Sequence, residues 1–398
     1  MQNFVFISPH FPETYFRFVV ALKNNGFRVL GIGDQAYDTL NPELKNALTE
    51  YYLCNDMDNF DNEVRAVQYF NDKYGHIDYL ESNNEYWLEK DAKLREIFGI
   101  TTGPVGKEIE YYQHKSLMKL GYQKAGAKTA AWILFENREQ LEELVKKVGF
   151  PVFIKPDKGV GAEETFKIEK PADIDYFCEK RQQNVTYICE QFISGNIISF
   201  DGIADSNSNV VFCASNFFPP SIADIVHEQK DVFYFTYPKV PADLEKIGRK
   251  VIKAFAVKKR FFHLEFFRLT QDAKGVGKVG DIVPLETNMR PAGGYTPDLI
   301  NFANSSNVYQ IYADVMAFDE NRQLDNNPHY YAAVASRRDG FRYQHSDQEV
   351  LDRYHGKICN HGRYPYVLSG AMGNYFFMAK FNTMEEVEEF KDFAEARL

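Results

Sequence analysis

The first hundred residues alternate short apolar runs with stretches of helical spacing, and this alternation constrains the fold more than any other feature. The apolar runs FVFIS, FRVLGI, YYLC and HIDYL each have the length of a buried strand, and a helical stretch follows each of them. Asn41 and Pro42 form a helix start, while Pro12 and Gly26 mark the beginning and the end of another helix. This pattern predicts an α/β domain at residues 1–105, with a parallel sheet covered by helices on both faces.

Beyond residue 105 strands become more frequent, which predicts an α+β part. We expect one helix from Gly106 to about Lys124 and then strands at AAWILF, PVFIKP, TFKI and YICEQF, which together form a small subdomain at 106–188. The runs IISFDGIA, VVFCASNFF, FFHLEFFRL and DIVPLETNMR predict a larger subdomain at 189–325. Short strands and a closing helix predict a C-terminal α/β subdomain at 326–398 that completes the site.

Composition excludes several classes of function. The chain has 398 residues and a formal net charge of -10, which argues against a general nucleic-acid binder because such proteins carry basic patches. No stretch reaches the roughly 18 apolar residues of a membrane span. The five cysteines include no CxxC pair, so reduced thiols in a cytoplasmic protein are expected.

The stretch ETNMR places three polar side chains on one face of a predicted strand. Since alternate residues of a strand share a face, Glu286, Asn288 and Arg290 point the same way. A row of carboxylate, amide and guanidinium groups is costly to bury without partners. Taken alone, the row favours a solvated face of a sheet.

A second strand, FFHLEFFRL, places Glu265 among phenylalanines. An isolated buried carboxylate needs a partner, and His263 on the same face is one candidate. A Mg²⁺ ion shared with Glu286 and Asn288 is the other, because Mg²⁺ prefers carboxylate ligands together with water and phosphate oxygens. The loop TQDAKGVGKVG between the two runs fits neighbouring antiparallel strands.

Two further stretches have the features of a nucleotide site. In FIKPDKGVGAEET, Lys155 ends a strand, and Gly159 and Gly161 allow the backbone to approach phosphates closely. In CEQFISG, Glu190 or Gln191 can meet the exocyclic amine of adenine. An ordinary hairpin with a solvated lysine and an edge strand entering a turn are the plain alternatives.

In their order along the chain these motifs resemble the ATP-grasp superfamily of carboxylate–amine ligases. The resemblance covers Met1 to about Met316 and continues more loosely to the C-terminus, with ETNMRPAGG as its most specific element. It is strongest to the carbamoyl-phosphate-synthetase-like and L-amino-acid-ligase branch. It implies an ATP-grasp fold behind a Rossmann-like N-terminal domain. Two departures stand out: Gly195 is followed by Asn196 and Ile197 instead of a ribose-binding Glu, and Ala162 replaces a common serine.

The resemblance also implies a role for each matching residue. The segment 157–162 would fold over the ATP phosphates as a lid, and Arg290 would steady the transferring phosphoryl group and the acyl intermediate. The implied binding residues are Lys115 and Lys155 for the phosphates, with Lys158, Gly159 and Gly161 in the lid; Glu190, Gln191, Phe192 and Ile193 for adenine; and Glu265, Glu286 and Asn288 for Mg²⁺, with Mn²⁺ as an alternative.

The expected activity is an ATP- and Mg²⁺-dependent ligation of a small-molecule carboxylate to an amine, the substrates being amino acids or peptide-like compounds. Two alternatives stay open: an ATP-binding regulatory module without turnover, and an ATP-grasp carboxylase that uses bicarbonate. Arg337, Arg338 and Arg342 are candidates for binding a substrate carboxylate, or else solvated surface charges. The resemblance is compatible with a homodimer, and no nucleic-acid or membrane partner is expected.

Overall fold

The structure is a computed structural model that describes residues 1–159, 165–218, 230–324 and 326–398. Its strands form three sheets within this described part of the chain. Every helix described is too short or too polar to span a bilayer.

The N-terminal domain is built on a four-stranded sheet in the order β3-β2-β1-β4, and all of its pairs are parallel. The prediction of a parallel α/β domain is therefore confirmed. The first helix begins at Phe16 and not at Pro12, because Pro12 opens a turn whose carbonyl accepts from the amide of Tyr15 at 2.9 Å. The strands are β1 (Asn3–Ile7), β2 (Arg28–Gly33), β3 (Glu50–Leu53) and β4 (Tyr79–Glu81), and the helices span Phe16–Asn24, Pro42–Ala47, Phe60–Tyr74 and Leu88–Phe98, with a 3₁₀ turn at Tyr37–Thr39.

The helix expected from Gly106 to Lys124 is two helices, Lys107–Gln113 and Lys115–Lys124. The chain is extended at His114, which pairs with Lys158 in an isolated bridge. The single-helix prediction is wrong because this long-range bridge interrupts a locally continuous helical pattern. The break places Lys115 at the start of the second helix.

The small subdomain has a four-stranded antiparallel sheet in the order β5-β8-β6-β7. Its apolar core lies between this sheet and two amphipathic helices. The predicted end of the small subdomain is residue 188. The strand β8 continues past that residue, so the sheet of the small subdomain extends to Gln191. The strands are β5 (Trp132–Leu134), β6 (Val152–Pro156), β7 (Phe166–Ile168) and β8 (Tyr187–Gln191), and the helices span Arg138–Val148 and Pro171–Lys180.

The remaining described strands form one nine-stranded sheet in the order β14-β13-β9-β11-β12-β15-β17-β16, with β10 paired to β9. Because β12 pairs with β15, this sheet is continuous across the predicted boundary at residue 325. The strands are β9 (Gly195–Ala204), β10 (Val210–Ala214), β11 (Asn216–Phe218), β12 (Phe233–Thr236), β13 (Arg260–Leu269), β14 (Ile282–Asn288), β15 (Tyr331–Arg337), β16 (Ile358–Arg363) and β17 (Tyr375–Phe381). The helices span Ala242–Ala254, Thr296–Asn304, Val308–Phe318, Asp347–Arg353, Ser369–Met372 and Met384–Glu395, with a 3₁₀ turn at Tyr366–Leu368.

An aromatic core joins the N-terminal domain to the large sheet. Phe18 lies against Phe261 of β13 and against Tyr309 and Tyr312 of the helix Val308–Phe318, with ring centroids 4.8–5.7 Å apart. Burial of such rings is a large apolar contribution to stability. The contact holds the ends of β1 and β4 next to β13 and β14.

Candidate functional site

A cavity of about 400 Å³ opens where the N-terminal sheet meets β14. Phe11 and Tyr15, which follow β1, and Glu85, which follows β4, form one wall. The strand order reverses between β1 and β4, and open parallel sheets bind ligands outside the carboxyl ends of strands at such a point. The opposite wall contains five of the predicted site residues: Lys158, Gly159, Glu286, Asn288 and Arg290.

The predicted metal ligands lie on two neighbouring antiparallel strands, β13 and β14. Glu265 is directly opposite Glu286, and His263 is directly opposite Asn288. Directly opposite residues project from the same face, and two carboxylates opposed in this way repel each other unless a cation lies between them. Two carboxylates and an amide oxygen suit Mg²⁺. Among the described residues, no group of three or more His, Cys, Asp or Glu side chains is arranged to hold a metal ion; this set of two carboxylates and one amide is not a group of that kind.

Glu265 also has the histidine partner that the sequence offered as an alternative. His263 contacts Glu265 Oε1 through Nε2 at 3.0 Å and Asp201 Oδ1 through Nδ1 at 2.6 Å. Burial works to lower the pKa of His263, but the Asp201 and Glu265 carboxylates outweigh it and raise the pKa to about 9. Burial works to raise the pKa of Glu265, but the contact with His263 reverses this and holds the pKa below its ordinary value.

Lys155 belongs to a buried ion cluster centred on Glu190. The Glu190 carboxylate lies 2.7 Å from Lys119 Nζ and 3.2 Å from Lys155 Nζ. Burial opposes ionisation of Glu190, but the two lysines lower its pKa to about 2. Burial likewise opposes the charge on Lys155, yet Glu190 and Glu286 hold its pKa above the ordinary value. The Glu190 carboxylate therefore forms ion pairs with two lysines in this structure.

Lys115 lies between the lid segment and the predicted metal ligands Glu265, Glu286 and Asn288, called the metal row below. Its Nζ donates to the Gly159 carbonyl at 2.7 Å and is 3.9 Å from Glu286 Oε1. Asp157 holds the start of this helix, because its carboxylate accepts from the amide of Ser116 at 2.7 Å. Burial lowers the pKa of Lys115. A lysine desolvated in this way gains stabilisation from an anion such as a phosphate.

Arg290 lies beyond β14, which ends at Asn288, so the prediction of a single strand through ETNMR is wrong at its end. The chain leaves the sheet there, and the Arg290 guanidinium donates to the Pro291 carbonyl at 2.9 Å. Its Nε is 3.6 Å from Glu85 Oε2. Burial raises the pKa of Glu85, which Arg290 only partly offsets. Arg290 nevertheless lines the same cavity as Glu286 and Asn288.

In the predicted adenine connector most side chains already have other contacts. The side-chain oxygen of Gln191 accepts from the backbone N–H of Ala131 at 3.4 Å, and its side-chain nitrogen donates to the Lys274 carbonyl at 3.2 Å. Ile193 is buried in a small apolar cluster, while Phe192 is partly exposed near the Phe153 ring. The predicted lid residues Gly161 and Ala162 lie outside the described residues.

The C-terminal arginines do not line the cavity. Arg337 donates to the Ala394 carbonyl and pairs with Asp347, both at 2.8 Å. Arg338 donates to the carbonyls of Lys230 and Ser369. Both guanidinium groups therefore hold the C-terminal region together.

A second cavity, of about 640 Å³, adjoins the first at Tyr112. It contains none of the predicted site residues but is lined by Glu81 and Arg260, whose side chains are 3.3 Å apart. Arg260 also donates to the Met289 carbonyl at 3.0 Å. This contact fixes the chain immediately before Arg290.

Sequence reasoning missed Lys119, Glu85 and Asp201. Lys119 was detectable, since it follows Lys115 by four residues and therefore shares its helix face. Glu85 follows β4 at the carboxyl edge of the sheet, which is a signal for a ligand residue. Asp201 gives no such signal, because its role depends on the register of β9 against β13.

Comparisons with known proteins show what this chain is similar to in sequence and in fold. No protein-family model matches the chain. Over 232 residues it is 24% identical to the L-arginine-specific L-amino acid ligase of Bacillus subtilis, covering 56% of this chain and 53% of that protein. The chain thus spans about half the length of this curated relative.

Two solved structures share the fold over nearly the whole chain. The L-amino acid ligase from Bacillus licheniformis superposes with a TM-score of 0.74 at 16% identity, covering 100% of this chain and 98% of that one. The biotin carboxylase domain dimer of Hydrogenobacter thermophilus 2-oxoglutarate carboxylase, solved with MgADP, ADP and bicarbonate, gives a TM-score of 0.69 at 14% identity and covers 99% and 90%. At these identities the likeness establishes the fold.

Proposed function

We propose that this chain, which belongs to the ATP-grasp superfamily, is an ATP- and Mg²⁺-dependent ligase that joins a carboxylate to an amine and releases ADP and phosphate. The observation that carries the proposal is the opposed pair Glu265 and Glu286, with Asn288, beside a cavity that also contains Arg290. The relationship to L-amino acid ligases supports it.

The arrangement of charge supports phosphoryl transfer between two anions. Lys115 and Lys155 would bind ATP phosphates, and Lys158 and Gly159 would close over them. Glu265, Glu286 and Asn288 would hold Mg²⁺, which supplies positive charge to the transferring phosphoryl group. Fixed positive charges of this kind stabilise the charge of the transition state.

In this proposal Arg290 acts on the acceptor side of the reaction. The substrate carboxylate takes the γ-phosphoryl group and becomes an acyl phosphate, and Arg290 would hold that carboxylate in position. The amine then attacks the acyl carbon, and phosphate leaves with the bonding electrons. The apolar walls of the cavity, including Phe11 and Tyr112, would keep water away from the acyl phosphate.

The pair of Glu85 and Arg290 supports an amino acid as the carboxylate substrate. An α-amino acid carries its ammonium and carboxylate groups a few ångströms apart, and these two side chains present the opposite charges 3.6 Å apart. Glu85 is mostly buried and its Oε2 accepts no hydrogen bond from any described residue. A substrate ammonium would therefore meet an oxygen that accepts no hydrogen bond, since Arg290 Nε lies 3.6 Å away.

The first test is ADP release with amino acids and small carboxylates, supplied singly and in pairs. Wild type should release ADP only when a carboxylate and an amine are both present, and Glu286→Gln should lose at least about a hundredfold in kcat, within the range for removal of one electrostatic group. Glu320→Gln, which alters an exposed carboxylate, is the control.

Three results would contradict the proposal. ATP binding without stimulation by any carboxylate would favour the regulatory module. Turnover with bicarbonate and no amine would favour a carboxylase, a reaction class to which one of the structural neighbours belongs. Full activity in Glu286→Gln would exclude the metal site.

A second test concerns Glu85. Glu85→Gln should raise the KM for amino acid substrates at least tenfold, because the ammonium loses its counter-charge. The same variant should leave the KM for des-amino carboxylates such as 3-phenylpropionate nearly unchanged. Equal effects on both substrate classes would show that Glu85 does not recognise the ammonium.

A cytoplasmic homodimer completes the proposal. None of the five cysteines, all within the described residues, forms a disulfide, which is typical of a reducing compartment. A dimer is recorded for one structural neighbour. Sedimentation equilibrium on the purified chain would test this assembly.

A further inference from the structure

A row of buried polar side chains crosses the large sheet and ends at Glu265. It begins at Thr236 on β12, which donates to the Asn216 amide oxygen at 2.6 Å. Asn216 on β11 donates to Asp201 Oδ2 at 2.8 Å, and Asp201 on β9 contacts His263 on β13. Ser199 also donates to Asp201. The row therefore links four strands by side-chain hydrogen bonds.

These groups are almost completely shielded from solvent. Asn216 and Thr236 are 0% exposed, Asp201 is 3% exposed and His263 is 5% exposed. A buried ion pair generally contributes little to stability compared with apolar residues of similar size. A contribution to stability therefore does not explain why this sheet contains a buried carboxylate and imidazole.

The register explains how the row reaches the metal site. Asp201 is directly opposite His263 across β9 and β13, so the two side chains share a face of the sheet. His263 lies two residues before Glu265 on that same face. Both ring nitrogens lie within hydrogen-bond distance of a carboxylate oxygen, so the plane of the ring is fixed.

We propose that Asp201 and His263 are positioning residues for the divalent-cation site, holding the Glu265 carboxylate through its Oε1 in the orientation in which it would bind the cation. The inference rests on the proposed function of Glu265 as a metal ligand. Asp201 orients the imidazole, and the imidazole orients the carboxylate. Asn216 and Ser199 in turn hold Asp201 in place. Partners of this kind behind a metal ligand typically contribute ten- to a hundredfold in metal affinity.

The test measures metal binding directly, without turnover. Mn²⁺ is titrated into the full chain in the presence of ADP, and free Mn²⁺ is followed by electron paramagnetic resonance. His263→Gln should weaken Mn²⁺ binding at least tenfold, and Asp201→Asn should weaken it severalfold. His361→Gln changes an exposed histidine bonded to the Tyr375 hydroxyl, and should bind Mn²⁺ like wild type.

Urea unfolding of the same variants separates positioning from a purely structural role. Variants that lose stability yet keep wild-type Mn²⁺ affinity would overturn the inference. If His263→Gln does not fold, Asp201→Asn decides the matter, since it preserves the shape of the side chain. If the wild-type chain binds no Mn²⁺, both the metal site and this inference are overturned. If Glu265→Gln loses Mn²⁺ binding while His263→Gln and Asp201→Asn keep it, only this inference is overturned.

Discussion

At the scale of single residues, most buried charges here lie beside an opposite charge, and Glu63 is poorly compensated. Its side chain is 0% exposed, and neither carboxylate oxygen has a hydrogen-bond partner among the described residues. Lys90 Nζ is 3.9 Å away. Burial raises the pKa of Glu63 to about 8, with Lys90 offsetting only part of the effect. Glu63 is therefore expected to be protonated in the folded protein near neutral pH.

This residue predicts a pH dependence of stability. The folded chain holds a proton on Glu63 that the unfolded chain releases near pH 4.5, so stability falls as the pH rises from there through 8. Glu63→Gln removes this pH-dependent loss of stability. Relative to wild type, its free energy of unfolding should therefore rise by at least about 1.4 kcal/mol, the value of one pKa unit, between pH 5 and pH 9. Urea unfolding at both pH values measures it. A gain that is the same at pH 5 and pH 9 would contradict the explanation.

At the scale of elements, the strands and amphipathic helices follow from local patterns, whereas their interruptions do not. The Asn41 side chain accepts from the amide of Glu43, as expected of an N-cap before Pro42. The break at His114 and the end of β14 before Arg290 could not be predicted, because each depends on a contact distant in sequence or on the chain leaving the sheet.

The helix Ala242–Ala254 provides a test of packing against propensity. Ala in place of Gly248 would favour an isolated helix by about 1 kcal/mol. Here the added Cβ would lie 2.2 Å from Phe200 Cδ1, and Phe200 is opposite Leu264 beside the metal row. Gly248→Ala should therefore destabilise the protein by about 1–3 kcal/mol in urea unfolding.

Gly370→Ala is the matched control for this prediction. Its added Cβ meets no described atom within 4 Å, and its backbone is not in the left-handed region. The change should alter the free energy of unfolding by less than about 0.5 kcal/mol. Stabilisation by Gly248→Ala would show that the helix can move away from β9.

At the scale of the whole molecule, the candidate site is assembled from parts that lie far apart in the chain. Glu85 comes from the N-terminal domain, Lys155 from the small subdomain and Glu286 from the large sheet. A ligand that contacts all three parts binds only the folded chain, and such a ligand stabilises the fold by mass action.

MgADP should therefore raise the melting temperature. At a ligand concentration a hundred times its Kd, the free energy of unfolding should rise by about 2.7 kcal/mol. Removal of Mg²⁺ with EDTA should abolish most of this gain in wild type. In Glu286→Gln the gain from ADP should already be small and insensitive to EDTA. Calorimetry measures the effect of ADP on the melting temperature of wild type and of Glu286→Gln, each with and without EDTA. An equal gain with and without Mg²⁺ in wild type would contradict the assignment of the metal row.

The sequence by itself determined most of the order of the elements and which oxygen-bearing side chains form the proposed metal row, because periods of two and 3.6 residues are local properties of the chain. It therefore predicted that Glu286 and Asn288 share a face and that Glu265 needs a partner. Only the tertiary structure decided which partners these groups have. Glu190 lies between Lys119 and Lys155, and His263 meets Asp201, which is 62 residues away. Such pairings depend on strand register and on packing between sheets, which a local pattern does not contain.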